Sequence, residues 1–596
     1  MKLAAFAFLA ALLAAPAAGQ GVRDRPPEDE VLYFLLPDRF ENGDAANDRG
    51  GLKGDRLVTG FDPAAKGFYH GGDLKGLIQR LDYVEALGAT AIWVAPIFRN
   101  KPVQGPSGHE SAGYHGYWVT DFTRVDPHFG TNADFRALVD AAHARGIKVY
   151  MDIIVNHTAD VIQYRECGDC GYRSLADYPY GRRGGVGGTA INPGFGGHGV
   201  RTAENFAKLT RPDFAYTPFV PPAEKDVKVP AWLNDPIYYH NRGNSTFMGE
   251  SSLYGDFVGL DDVFTEHPRV VSGMIEIFGS WIDRFGIDGF RIDTARHVNP
   301  EFWAAFVPAM QARARAKGIP NFHIFGEVAD PDTSALARHT RVDKLPSVLD
   351  FAFARTVNAV SAGEVGTDKL AAVFAADALY EGGEATALRL PTFIGNHDQG
   401  RAAFFLRKAL PQASPDELLA RDRLAHAMLL LLRGVPTIYS GDEQGFVGDG
   451  DDQDAREDMF PSKTAVYNDN VLLGTDKTTA VSNFDTDHPL FREIATLAKL
   501  RRAHPALTRG RQVTRYASDK PGPFAVSRFD PVTGAEVLIA FNASAQPWTG
   551  NVLVETGSTA FTALAGTCPA TAAAPGSVTL TLPAFGYAVC AAGKLQ

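Results

Sequence analysis

Cysteine is scarce in this chain, with four residues among 596, and that excludes a disulfide-dense scaffold or a cysteine-built cluster site. Basic residues are outnumbered, 58 against 69 acidic, and the formal charge of −11 argues against nucleic acid or another polyanion as partner. After the first twenty residues no apolar run is long enough to anchor the chain in a membrane. Internal repeats and extended low-complexity linkers are also missing. A large globular protein with neutral partners, polymers included, is what these absences leave.

Residues 1 to 20 are expected to be an export segment rather than fold. Lys2 supplies the positive start, Leu3 to Ala15 the short apolar stretch, and Ala15-Pro16-Ala17 or Ala17-Ala18-Gly19 a small-residue cleavage site. The mature protein is then soluble and either periplasmic or extracellular. In such an oxidising compartment the cysteines fall into two local pairs, Cys167 with Cys170 and Cys568 with Cys590. A CxxC pair also occurs in redox motifs and as half of a zinc site, but no second CxxC is present, so structural bridges are expected.

Eight short apolar runs read as strands: Val31 to Leu36, Ala91 to Val94, Val149 to Val155, Gly289 to Ile292, His323 to Gly326, Ser347 to Asp350, Pro391 to Gly395 and Thr437 to Tyr439. Between them apolar residues recur at helical spacing, as in Leu74 to Ala86, Ala133 to Ala144, Arg269 to Phe285 and Pro300 to Ala316. Alternating strand and helix implies a parallel sheet, closed as a β/α barrel whose functional groups sit at the strands' carboxyl ends. The alternation stops from about residue 158 to 259, a Gly, Tyr, Pro and Asn rich stretch too long for a plain connection, which reads as an inserted domain. The expected barrel therefore comprises 21–157 and 260–504. Beyond it, 505–596 holds alternating segments such as Glu536 to Phe541 and Ser577 to Leu582, which suggest a β-sandwich.

Chemistry concentrates at four strand ends. In Gly289-Phe290-Arg291-Ile292-Asp293 the i, i+2 spacing puts Arg291 beside Asp293 on one side of the strand, where the guanidinium keeps the carboxylate ionised. An ordinary salt bridge gives the same spacing. A second carboxyl, Glu327, ends the run from His323, a third, Asp398, follows Asn396-His397, and Asp152 to His157 delivers further polar groups.

Together the segments 152–157, 289–297, 326–328 and 395–398 resemble the four signature regions of the α-amylase family of glycoside hydrolases, in the right order. The resemblance implies a (β/α)8 TIM barrel, a domain inserted after strand 3 and a C-terminal antiparallel β-sandwich. It also implies hydrolysis of internal α-1,4 bonds of starch, glycogen or maltodextrins with retention. A glycosidic bond needs one proton donor and one anion on the opposite ring face. Asp293 is the expected nucleophile and Glu327 the acid, its pKa raised by the neighbouring charge in a partly dry cleft. The resemblance gives Asp398 the gripping of substrate hydroxyls, although a turn role is the plainer reading of Asn396-His397-Asp398 alone. His115, His157 and His397 match sugar-contacting histidines, Tyr117 and Trp118 offer a flat apolar face or core packing, and Asp152, Arg291, Arg296 and His297 complete the expected substrate-contacting set. Arg296 stands where many α-1,4-glucan enzymes carry lysine, which leaves product size open.

Calcium is the expected cofactor, at one or two sites. Asn42, Asp44, Asn47, Asp48, the carbonyl of Gly71 and Asp73 resemble an N-terminal calcium loop of related enzymes but lack EF-hand spacing. A second site is expected from Asn156, Asp262 and the carbonyl of His297. The acidic run Asp449 to Asp458 reads as a solvated face or as a rim of the cleft. Two other readings remain: an α-glucan transferase, α-1,6-acting or maltogenic relative, and a non-catalytic α-glucan-binding relative, against which the three acids count. A monomer is expected.

Overall fold

The computed structural model describes residues 21–593, so the expected export segment lies outside the described residues. Seven parallel strands build the central sheet: β1 (Leu32–Leu35), β2 (Ala91–Val94), β3 (Lys148–Ile154), β4 (Gly289–Asp293), β5 (His323–Gly326), β6 (Pro391–Thr392) and β7 (Val435–Tyr439). Their spatial order is β5-β4-β3-β2-β1-β7-β6. The stretch 347–350 closes the ring between β5 and β6. Gly326 bridges Val348 in parallel, and the Asp350 amide donates to the Pro391 carbonyl at 2.9 Å. The strand expected there shrinks to one bridge because Pro346 precedes it without an N–H. Asp350 then leaves the ladder to cap the next helix, accepting from the Phe353 amide at 2.9 Å.

Strands β1 to β5 and β7 are buried along their whole length, which explains their unbroken apolar runs. Glycine is required at the foot of β4, since a Cβ on Gly289 would stand 2.6 Å from the His323 carbonyl oxygen. The helix Pro268–Phe285 starts with proline in its first turn and stops at Gly286, whose φ of 66° suits the left-handed stop. Its Trp281 is 0% exposed, stacks on Phe285 and donates from Nε1 to the Phe122 carbonyl at 2.8 Å. The single helix expected from Leu74 to Ala86 is two, Leu74–Gln79 and Leu81–Ala86. They part at Arg80, whose guanidinium bonds Glu41 and lies over the Phe484 ring.

From Thr158 to about residue 259 the backbone runs in loops, short helical turns and two-residue strands around an apolar cluster of Tyr180, Phe206 and Phe214, to which Phe264 from the barrel side contributes. The Cys167–Cys170 bridge is formed there, and Cys568–Cys590 is formed near the carboxyl terminus. Beyond Gly510, five antiparallel strands in one sheet and two in another enclose apolar residues from both, including Leu538, Val552, Val578 and Leu580. One buried arginine, Arg528, ties this sandwich to the barrel, and a second, Arg501, braces the barrel beneath it. Arg501 donates to the carbonyls of Leu430 (2.9 Å) and Gly434 (2.6 Å), and Arg528 to those of Gly510 (3.1 Å) and Leu431 (3.4 Å), at the end of helix Pro415–Leu431. Among the described residues no helix is long and apolar enough to cross a membrane.

Truncating Trp281 to alanine removes the largest apolar side chain of its layer and leaves the Phe122 carbonyl unpaired. Stability is expected to fall by about 3–5 kcal/mol, read as a lower denaturant midpoint in fluorescence-monitored unfolding.

Candidate active site

Arg291, projecting from β4 and 1% exposed, is shared by three carboxylates. One guanidinium nitrogen donates to Asp152 Oδ1 and Oδ2 at 2.8 and 3.0 Å and to Asp293 Oδ1 at 2.8 Å. Its other terminal nitrogen lies 3.0 Å from Glu327 Oε2. Strand register makes this possible: Arg291 pairs with Asp152 across β3 and β4, and the Glu327 amide continues the ladder by donating to the Ile292 carbonyl at 2.8 Å. Asp152 accepts two more bonds, from Trp93 Nε1 and the Tyr117 hydroxyl, each at 3.1 Å.

Immediately after β4, Thr294 takes a left-handed conformation (φ 49°, ψ 31°), which costs a non-glycine residue strain. That turn aims the Thr294 amide at Glu327 Oε2, 3.1 Å away. Asp398 stands at the same mouth, 42% exposed, with Oδ1 3.1 Å from Arg456 and Oδ2 3.3 Å from His397 Nε2. The Asn396 side-chain oxygen accepts the Asp398 and Gln399 amides at 3.0 and 2.7 Å, fixing the turn that presents the carboxyl.

Burial dominates the electrostatics. It pushes Asp293 and Glu327 each up to about 7 and Asp152 up to about 6, opposed in every case by Arg291. One guanidinium cannot compensate three desolvated anions, so the acids share protons near neutrality instead of all ionising. Here the structure departs from the expectation that Arg291 simply keeps Asp293 ionised. The histidines move the other way: burial holds His115 and His397 well below the usual range and His157 down to about 3, so all three are neutral imidazoles. With the Tyr117 hydroxyl donating to Asp152, His397 Nε2 must donate to Tyr117 at 2.8 Å. His157 stacks on Phe257 and its Nε2 has no protein partner.

Asp293, Glu327 and Asp398 line one cavity of about 580 Å³, together with His115, Tyr117, Trp118, His157, Arg296 and His297. Asp152, Arg291 and His397 are outside that lining and support it from behind. Arg296 is turned to the Ala329 carbonyl at 2.8 Å, and His297 Nδ1 to the Ser252 carbonyl at 2.8 Å. Sequence reasoning passed over Asp160, Phe257, Gln453 and Arg456, which also line the cavity. The only signal for the last two was their place in the acidic run after the eighth strand. That run divides: Asp452 and Arg456 face the cavity, whereas Glu457 pairs with buried Arg401 and Asp458 with His70.

The N-terminal loop offers part of a cation site. Asn42 Nδ2 lies 2.9 Å from Asp48 Oδ1, and a Cβ on Gly71 would meet both within 2.8 Å, so the three converge. Burial, then the charges of Asp38 and Asp73, push Asp48 up to about 6, and Asn47 Oδ1 is buried without a partner. Asp73 accepts from the Asn47 side chain at 3.1 Å and caps the helix Leu74–Gln79. Only the Asp44 carboxylate turns away, to Lys75. Asn42 and Asp48 beside Gly71 are hard oxygen donors of the kind that suits a hard cation, while Asp73 spends its oxygens on the Gly43, Asp44 and Gly76 amides and the Asn47 side chain, and among the described residues no group of three or more His, Cys, Asp or Glu gathers as a metal cluster. The second expected set suits no such cation. Asp262 Oδ2 bonds His240 Nδ1 at 2.6 Å, and His240 Nε2 bonds Glu266 at 3.0 Å. Despite burial, those two carboxylates hold His240 up at about 9, so an imidazolium already supplies the positive charge. Nothing in the composition singled out His240.

Comparison with known proteins follows the same lines. An α-amylase from Streptomyces lividans is 47% identical over 606 aligned residues, covering 99% of this chain and 65% of that protein, so the chain spans about two thirds of its length. A crystal structure of an Anoxybacillus α-amylase superposes with a TM-score of 0.68 at 26% identity, covering 96% of this chain and 99% of the other. A cyclomaltodextrin glucanotransferase with a three-domain ABC distribution gives 0.70 at 25% identity, covering 95% and 99%. Residues 34–510 match the family model described as alpha amylase, catalytic domain, and the chain therefore belongs to the α-amylase family.

Proposed function

We propose that this protein is an exported retaining glycoside hydrolase that cleaves internal α-1,4 bonds of starch, glycogen or maltodextrins. The observation that carries the proposal is the single guanidinium of Arg291 bonded to both Asp293 and Glu327, with Asp398 facing the same cavity. Two carboxyls held on neighbouring nitrogens of one planar group favour the short spacing, ~5–5.5 Å, of the double-displacement route over the wider inverting one. Asp293 attacks the anomeric carbon as the C–O bond breaks, and Glu327 gives its proton to the departing oxygen. In the second step Glu327 takes a proton from water, which displaces Asp293 and restores both groups. Asp398 and the neutral His115 and His157 bond ring hydroxyls, and His157 Nε2 is a buried group still lacking a partner. Tyr117 offers its ring face.

On this reading residues 158–259 form the inserted domain over the cleft and 505–596 the C-terminal sandwich. Two disulfides and the apolar stretch over residues 3–15 support export into an oxidising compartment. Calcium would be held by Asn42, Asn47, Asp48, the Gly71 carbonyl and Asp73, with the amides turned to present oxygen. It would supply charge that neutralises Asp48 and Asp73 and pins the loop against the helix Leu74–Gln79.

Replacing Asp293 with asparagine should lower kcat on maltoheptaose by roughly 10⁴-fold or more while binding persists; unchanged turnover would displace Asp293 as nucleophile. Chromatography of the products separates the rivals, since a transferase yields cyclic or longer chains and an exo-enzyme one short product. Asp398→Asn takes away an anion that raises Glu327. The Glu327 pKa then falls, its proton is lost earlier as pH rises, and the alkaline limb of kcat/KM moves to lower pH. Because Asp398 is 42% exposed, the move should stay below about one unit. A calcium chelator should lower the Tm of the wild-type protein and leave that of Asp48→Ala unchanged, as read by calorimetry.

A further inference from the structure

Arg456 reaches the catalytic cavity from the acidic run after β7, and every nitrogen of its buried guanidinium is engaged. Nε donates to the His397 carbonyl at 3.0 Å, Nη1 to the Tyr114 hydroxyl at 3.2 Å and Nη2 to Asp398 Oδ1 at 3.1 Å. Nη2 also pairs with Asp452. Tyr114 is itself buried and carries the Arg39 guanidinium 4.0 Å over its ring, so the partner behind Arg456 is fixed in turn. Bonds in three directions within one plane hold the fork, and through it two consecutive groups: a main-chain carbonyl and the carboxyl that follows it.

Asp398 depends on that hold. Its side chain is 42% exposed, against 10% for Asp293 and 13% for Glu327, and no bond from Arg291 reaches it. Asn396 accepts the Asp398 and Gln399 amides, which orders the backbone of the turn but not the carboxyl. His397 Nε2 lies 3.3 Å from Oδ2, yet its proton is committed to Tyr117. Among the described residues Arg456 is therefore the one cation bonded to the Asp398 carboxyl, and it takes Oδ1 while Oδ2 stays uncommitted. Burial works to strip this guanidinium of its proton, but Tyr114, Asp452 and Asp398 outweigh it and hold the pKa well above the ordinary value.

We propose that Arg456 is a positioning residue for hydrolysis: it acts through Asp398, fixing the direction from which that carboxyl grips the sugar ring as the ring flattens toward the transition state. The inference rests on the α-1,4-hydrolase reading and adds to it a residue from outside the expected site.

The test is a double-mutant cycle on maltoheptaose between Arg456→Lys and Asp398→Asn. Lysine keeps the charge but cannot serve three partners from one plane. Alone, Arg456→Lys should lower kcat by about tenfold or more and leave KM within about threefold, the mark of an interaction that strengthens in the transition state. In the Asp398→Asn background the same change should cost less than about threefold, since no carboxylate remains to be aimed. An equal cost in both backgrounds means that Arg456 braces the fold or touches the sugar itself, and overturns the proposal; so does a wild-type kcat in Arg456→Lys. Arg456→Ala with added guanidinium covers the case in which the lysine variant fails to fold. Millimolar guanidinium should restore kcat when Asp398 is present and not in Asp398→Asn; recovery equal in both, or absent in both, overturns the proposal. If wild-type enzyme leaves maltoheptaose intact, the hydrolase reading fails, and calorimetric titration of the same four proteins with acarbose, whose unsaturated ring is flattened, decides on Arg456. A loss of affinity for Arg456→Lys that vanishes in Asp398→Asn supports the aiming of Asp398, and equal losses or no binding overturn it.

Discussion

The site is organised by one cation among three anions. Among the described residues Arg291 is the only group that touches Asp152, Asp293 and Glu327 together, and all four are withdrawn from bulk water. Taking such charges into a low-dielectric interior is costly unless each has a partner. A planar guanidinium with five donors can serve three carboxylates from fixed directions, which a lysine point charge cannot. The price is incomplete neutralisation, and it appears as raised carboxyl pKa values. A nucleophile that must be ionised and an acid that must be protonated both draw on that shared, displaced proton.

Geometry upstream of the chemistry follows from the barrel. The Arg291–Asp152 pairing is a register fact of β3 and β4, and a one-residue slip would turn both side chains to the wrong face. Gly289 lets the strands approach where they start, and Thr294 spends backbone strain to aim an amide at Glu327 where β4 ends. Behind the cleft the Tyr117 hydroxyl joins Asp152 to His397, so the loop after β2, the strand β3 and the turn after β6 are locked to one another beneath the cavity.

Much of this was legible in the sequence because it depends on local spacing. The i, i+2 relation of Arg291 and Asp293, the carboxyl after an apolar run at Glu327, and the Asn396-His397-Asp398 turn each announce themselves within a few residues. Strands buried on both faces show as unbroken apolar runs, so the barrel could be counted. Ser347 to Asp350 could be placed but not its pairing, since whether an extended stretch makes a ladder depends on Pro346 and on the capping bond that draws Asp350 away. Long-range partnerships left no trace: His240 between Asp262 and Glu266, and Arg456 against Asp398, join residues 22 to 58 positions apart. The sharing of Arg291 by three acids was likewise invisible, because Glu327 arrives from a different strand.

A different kind of joint holds the sandwich to the barrel. Arg528 is seated on main-chain oxygens, and none of its hydrogen bonds is to a carboxylate. Peptide carbonyls do not titrate, and a guanidinium stays charged on acidification, even one that burial pulls down as it does Arg528. Acidification that dismantles the carboxylate pairs of the catalytic mouth therefore spares the Arg528 contact, while the Arg509–Asp29 pair and the Tyr587–Glu493 bond at the same seam, which rest on carboxylates, weaken with it.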